Sequence, residues 1–148
     1  ALQDRIGPLT LADNSAGMRE VIAAKIENGA LPRSQVWDLD LQTQPAPAQR
    51  FDLIICALVL HHVRELAPVL TGLATLLDPG GRVCIADLDA EDGSFHDVDF
   101  DGHHGFDREE FSTALTAAGF DDVEIADCTT IVREDRPFSV FLATAVRT

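Results

Sequence analysis

The sequence predicts an α/β fold: a doubly wound, mostly parallel sheet that finishes in an antiparallel pair of strands. Three observations predict it. Two continuous apolar runs, Leu53–Cys56 and Val83–Ala86, flank a segment with helical spacing of Leu and Val. Unbroken apolar runs are what strands covered on both faces require. Strand-like and helix-like patterns alternate from Leu9 to Asp87, the signature of parallel crossovers. The last two strand patterns, Val123–Ala126 and Ser139–Thr144, follow each other with only the polar stretch Arg133–Pro137 near the turn, so they should pair antiparallel at the sheet edge.

The elements follow in order. Gly7-Pro8 punctuates the chain, and Leu9–Ala12 reads as a short buried strand ending at Asp13. Asn14 or Ser15 is placed to cap the next helix. Met18, Val21, Ile22, Lys25 and Ile26 carry its 3.6-residue period, and Asn28-Gly29 stops it. Gln35–Leu41 is the next strand, with Val36, Trp37, Leu39 and Leu41; Pro45 and Pro47 make Gln42–Arg50 a loop. After the Leu53–Cys56 strand, Leu66, Val69, Leu70, Leu73, Leu76 and Leu77 form a helix stripe. Asp78-Pro79-Gly80-Gly81 turns the chain into the strand Arg82–Asp87. Asp87–Gly105 is rich in Asp, Gly and His and reads as a functional or mobile loop. Asp107–Ala118 is a helix ended by Gly119.

At 148 residues the chain has room for one domain with a sizeable core, and its 46% hydrophobic and 24% charged residues are an ordinary globular balance. A net charge of −14 repels phosphate backbones, which argues against nucleic acid as a partner. No apolar run reaches the length of a membrane span and no signal peptide is visible, so the protein is read as cytoplasmic. Cys56, Cys84 and Cys128 are not in a Cys-x-x-Cys arrangement and are expected to be buried, reduced thiols.

The segment Phe51–Asp89, with its aromatic-Asp opening, the His61-His62 pair, the Leu-rich helix, the Asp-Pro-Gly-Gly turn and the acid-ended strand, resembles the second half of the class I S-adenosylmethionine (SAM)-dependent methyltransferases. The stretch Asp13-Asn14-Ser15-Ala16-Gly17-Met18 resembles that family's acid-x-Ser-x-x-Met pattern. The resemblance implies a Rossmann-like methyltransferase fold, SAM as methyl donor and S-adenosylhomocysteine as product. It implies that Asp13, with Asn14 beside it, holds the ribose hydroxyls and that Met18 packs near the adenine. Asp40 would accept from the adenine amino group while Leu41 covers the ring. Ala57 and Leu58 would wall the pocket near the sulfonium, where water must be kept away. His61 or His62 would face a small-molecule acceptor, as a base or as an orienting group. The run Ala90-Glu91-Asp92-Gly93-Ser94-Phe95-His96, followed by His103-His104-Gly105-Phe106-Asp107, is similar to a subgroup of small bacterial methyltransferases in which this loop covers the active site.

One family feature is missing. No Gly-x-Gly-x-Gly occurs in the 148 residues, and Gly7 and Gly17 stand alone. If Ala1–Arg5 matches the end of the family's first helix, the first and central strand is absent, and the chain reads as a single, N-terminally truncated methyltransferase-like domain. The strands at Leu9–Ala12 and Leu53–Cys56 would then lack a neighbour on their inner edges, to be supplied by another segment or a second copy. The alternative is an inactive methyltransferase-like fragment that serves as a binding or interaction module. A dehydrogenase on the same sheet is disfavoured by the terminal strand pair and by His61-His62. No metal site is assigned. Asp97, Asp99, Asp101 and Gly102 resemble the start of a calcium loop, but its twelfth position is Arg108. His103 and His104 are adjacent and diverge in regular structure.

Overall fold

The computed structural model describes residues 5–96 and 100–148. They divide into two compact units, the first ending at Gln44 and the second running from Pro45 to Thr148.

The first unit holds β1 (Thr10–Ala12), α1 (Ala16–Glu27) and β2 (Gln35–Trp37). β1 and β2 pair in parallel, Thr10 beside Gln35 and Ala12 beside Trp37. Ser15 caps α1, its hydroxyl accepting from the Met18 amide; Asn28 closes the helix and Gly29 takes φ +77° beyond it. The expected strand over Gln35–Leu41 stops at Trp37. Asp38 and Asp40 therefore do not share a strand face: the Asp40 carbonyl accepts from the Thr43 and Gln44 amides, folding this stretch into a turn. The helix forms as its capping residues predict, but its apolar positions are not buried; Met18 is 48% exposed.

The second unit is built on a four-stranded sheet in the order β3-β4-β6-β5. β3 (Phe51–Ala57) lies parallel to β4 (Leu77–Leu88), and β4 pairs antiparallel with β6 (Arg136–Arg147), which in turn pairs with β5 (Phe120–Arg133). A short 3-10 turn, Leu60–His62, and α2 (Leu66–Leu76) connect β3 to β4; α3 (Arg108–Ala117) precedes β5. Pro68 is tolerated in the first turn of α2 because the amide it lacks would have no helical partner there. Val69, Leu70, Leu73 and Leu76 bury the predicted stripe. The Asp78–Gly81 turn is absorbed into β4 as an irregularity rather than preceding it: Phe51 faces Leu77, but Leu53 already faces Arg82, with Gly80 at φ +81°.

The terminal pair is antiparallel as expected, and longer than its apolar patches. β5 and β6 run from Phe120 and Arg147 to a tight turn at Glu134-Asp135. The core of this unit packs β4, β5 and β6 against α2 and α3 through Leu70, Val83, Ile85, Phe111, Leu115, Phe120 and Phe141, all essentially solvent-free. Each such side chain contributes about 1.5–3 kcal/mol of burial. No helix among the described residues is long and apolar enough to cross a membrane. Cys56 and Cys84 are partly buried, whereas Cys128 is exposed, against the expectation of three buried thiols.

Candidate functional site

In the first unit the predicted residues gather at the start of α1. Asp13 follows β1 at its carboxyl end, held by its amide donating to the Trp37 carbonyl. Its Oδ1 accepts from the Ser15 amide at 2.8 Å; Oδ2 has no hydrogen-bond partner among the described residues. Arg19 ties the two strand ends together, donating to the Asp13 carbonyl at 3.0 Å and pairing with Asp38 at 2.9 Å. Asn14 and Met18 are exposed beside Asp13. Asp40 and Leu41 lie in the turn after β2, and Asp40 Oδ1 accepts from the Gln42 amide. The carboxylate proposed to meet an adenine amino group is thus already engaged in a local turn.

In the second unit the parallel register decides the chemistry. Ala57 pairs with Ala86, so the residues that follow on each strand emerge side by side at the carboxyl edge, the place where open α/β sheets bind ligands. Leu58 donates its amide to the Ala86 carbonyl and takes φ +55°. A left-handed conformation costs a non-glycine residue roughly 1–2 kcal/mol. It breaks β3 sharply and starts the 3-10 turn carrying His61 and His62. Leu58 and Val59 are left exposed at that edge.

Asp87 is the anchor, and the sequence reading did not single it out. Its side chain is fully buried. Oδ2 accepts from the amides of Leu60 and His61 at 2.9 and 3.3 Å; Oδ1 accepts from the Leu88 amide at 2.8 Å and meets His61 Nδ1 at 2.6 Å. Three backbone donors make Asp87 an acceptor here, so Nδ1 of His61 carries the hydrogen and Nε2 is the ring nitrogen turned away from the carboxylate. The available signal was an acid closing an apolar strand across from a histidine one strand over.

The loop after β4 folds back over these histidines. The His103 amide donates to the His61 carbonyl at 2.8 Å. A side chain at Gly102 would collide with that carbonyl and with the Phe100 ring. His96 stacks on Phe100 with centroids 3.7 Å apart, and its ring lies 5.4 Å from both His61 and His62. Arg108 clamps the loop's base through a bidentate pair with Asp89, at 2.6 and 2.8 Å. Arg136 holds its outer limb through Asp92 at 2.8 Å, and the Ser94 hydrogen bond and Arg136 together pull the Asp92 carboxyl down to about 2. The loop expected to be functional or mobile is therefore tied at both limbs; Asp97 and Asp99 of the considered calcium motif lie outside the described residues.

The electrostatics favour the neutral imidazole at His62 and His96. Desolvation first, then repulsion from neighbouring histidines, lowers the basicity of His62; desolvation, His61 and Arg133 do the same for His96. On β3, burial and then the negative charge of Asp87 push the Cys56 thiol up to about 11. Among the described residues, His96 Nε2 is buried without a hydrogen-bond partner, as is His103 Nε2. Of the predicted residues, Ala57, Leu58, His61 and His62 fall together in the second unit; Asp13, Asn14, Met18, Asp40 and Leu41 belong to the first.

Comparison with known proteins places this arrangement in a family. The model of the methyltransferase domain family matches residues 1–85. An uncharacterised methyltransferase of Schizosaccharomyces pombe is 30% identical over 91 residues, covering 57% of this chain and 32% of that protein. A polyketide synthase-nonribosomal peptide synthetase of Aspergillus clavatus is 31% identical over 124 residues, covering 72% of this chain and 3% of that protein. The chain thus spans a third or less of the curated relatives it matches. Among solved structures, phosphoethanolamine N-methyltransferase 2 of Haemonchus contortus, crystallised with S-adenosyl-L-methionine, superposes with a TM-score of 0.78 at 14% identity, covering 99% of this chain and 45% of that one. With the family model matched over more than half its length, the chain belongs to the methyltransferase domain family.

Proposed function

We propose that this chain is the SAM-dependent catalytic domain, or part of it, of a methyltransferase acting on a small-molecule acceptor. The observation that carries the reading is the family match over residues 1–85. The SAM complex of the Haemonchus contortus enzyme, which shares the fold, supports the choice of donor. When bound, SAM supplies an activated methyl group; the protein's tasks are to hold the nucleoside, exclude water and orient the acceptor.

The residues fit those tasks in part. Asp13 keeps one carboxylate oxygen available for ribose hydroxyls, with Asn14 and Met18 beside it. Asp40 and Leu41 are assigned to the adenine, although Asp40 must share its Oδ1 with Gln42. Ala57 and Leu58 offer an apolar edge at the end of β3. His61, its Nδ1 fixed by Asp87 and its Nε2 free of that contact, suits the role of a base or acceptor-orienting group better than His62 does, because nothing comparable fixes His62 among the described residues. The glycine loop that would approach the methionine moiety is not among these residues.

Calorimetric titration with S-adenosylhomocysteine tests the reading, on this chain and on one lengthened at its N-terminus. Binding is expected to at least the longer chain, and Asp13→Ala should weaken it by more than about tenfold, or ~1.4 kcal/mol. An affinity indifferent to Asp13→Ala would remove that residue from the site. Binding by neither chain would overturn the donor assignment. It would promote the second reading, an interaction module, which the exposed apolar side chains of β3 favour: Leu53 is 40% and Ile55 57% exposed.

A further inference from the structure

We propose that His61, His62 and His96 form a binding site for one divalent first-row transition-metal ion, zinc being the best match. One ring nitrogen from each lies within 4.8 Å of those of the other two. In a tetrahedral zinc shell with bonds of about 2.0–2.1 Å, ligand nitrogens stand about 3.4 Å apart. Small side-chain rotations, available to the exposed His62 and the half-buried His96, close that difference.

Three independent features point the same way. His61 presents Nε2 because Nδ1 is held by a buried carboxylate at 2.6 Å; with a metal bound there, His61 would act on an acceptor by orienting it through the ion and not as a base. A carboxylate behind a ligating imidazole fixes its tautomer and orientation, and it is the usual support of metal-bound histidines. His96 Nε2 is buried with no hydrogen-bond partner among the described residues, a costly state for a polar nitrogen that coordination would relieve. The ligands come from two separate elements, the 3-10 turn and the loop after β4. That loop is pinned over the turn by the hydrogen bond from His103 to the His61 carbonyl. An open-ended set of three imidazoles leaves a fourth position for water or an oxygen, nitrogen or sulfur group of a ligand. Imidazole donors select zinc, copper, nickel or cobalt over magnesium and calcium. The histidine pair rejected on sequence spacing, His103-His104, is not the trio that the fold assembles.

The test is metal titration of the tag-free chain after chelator treatment. Zinc is measured in competition with a chromophoric chelator, and cobalt by its visible absorption. One ion per chain is expected, with tetrahedral cobalt bands and no displacement by magnesium. His62→Gln and His96→Gln should each weaken zinc binding by at least about tenfold, within the range typical of lost coordination support. They should leave the unfolding midpoint of the metal-free chain unchanged; His104→Gln should keep full affinity. Absence of a stoichiometric complex would overturn the proposal. So would zinc binding that survives both substitutions, or that is lost with His104→Gln alone. The titration involves no SAM, so its failure and that of the methyltransferase reading are separable.

Discussion

Asp87 concentrates more of the site's energetics than any other side chain. It is fully buried and satisfies three backbone amides as well as the His61 ring. Removing an acceptor strands each donor at about 1–3 kcal/mol. Asp87→Ala should therefore lower stability by roughly 3 kcal/mol or more in urea unfolding at neutral pH. Asp87→Asn, which keeps one carbonyl oxygen, should fall between it and the native chain. A loss under about 1 kcal/mol for Asp87→Ala would mean that water replaces the carboxylate. A second consequence concerns the thiols. The Cys56 pKa stands at about 11 against an ordinary 9.0, so the folded state holds its proton when the unfolded chain has released it. That contribution is present in full below pH 9 and is lost as pH rises from 9 towards 11, because the folded state then binds more protons than the unfolded one. Iodoacetamide at mildly alkaline pH should label the exposed Cys128 well before Cys56. Equal labelling rates would place the Cys56 thiol in contact with solvent.

At the scale of elements, the caps and the apolar runs were legible and the extents were not. Ser15, Asn28, Asp107 and Gly119 mark helix ends in the sequence as they do in the fold, because each meets a local backbone need that no distant contact overrides. β2 stopped short at Trp37: Asp38 pairs with Arg19 and Asp40 folds into a local turn, so neither continues the ladder. β5 outran its apolar patch because β6 pairs with it along nearly its full length, regardless of polarity. Asp87 and His61 were both in view as residues. Their contact, 26 positions apart, is a product of the β3–β4 register and could not be read from spacing. The β5–β6 hairpin offers a clean test of local strain. Glu134 and Asp135 occupy φ +49° and +61°, the geometry of a type I′ turn that favours Asn-Gly. Replacing the pair with Asn-Gly should stabilise the chain by about 1 kcal/mol, seen as a rise in unfolding midpoint. An unchanged or lower midpoint would show that the turn is not strained.

For the whole molecule, the division into two sheets is the main consequence of the strand order. β1 pairs with β2 and β3 with β4, and among the described residues neither β1 nor β3 has a second ladder neighbour. The sequence raised the expectation of open inner edges at the Leu9–Ala12 and Leu53–Cys56 strands; it did not show that the chain would divide into two compact units. The β3 edge is the more consequential, since Leu53 and Ile55 stand exposed beside unpaired backbone. An open apolar edge recruits further strands, while like charges on two copies oppose association. A net charge of −14 makes the opposition screenable by salt. Sedimentation of this chain should thus show a concentration-dependent complex that strengthens from low to physiological ionic strength. Ile55→Lys, which places a charge on the edge without touching the buried core, should abolish it while leaving the circular dichroism spectrum unchanged. A monomer at every salt and protein concentration would mean that the edge is covered within the chain itself. Self-association unaffected by Ile55→Lys would move the contact to another surface.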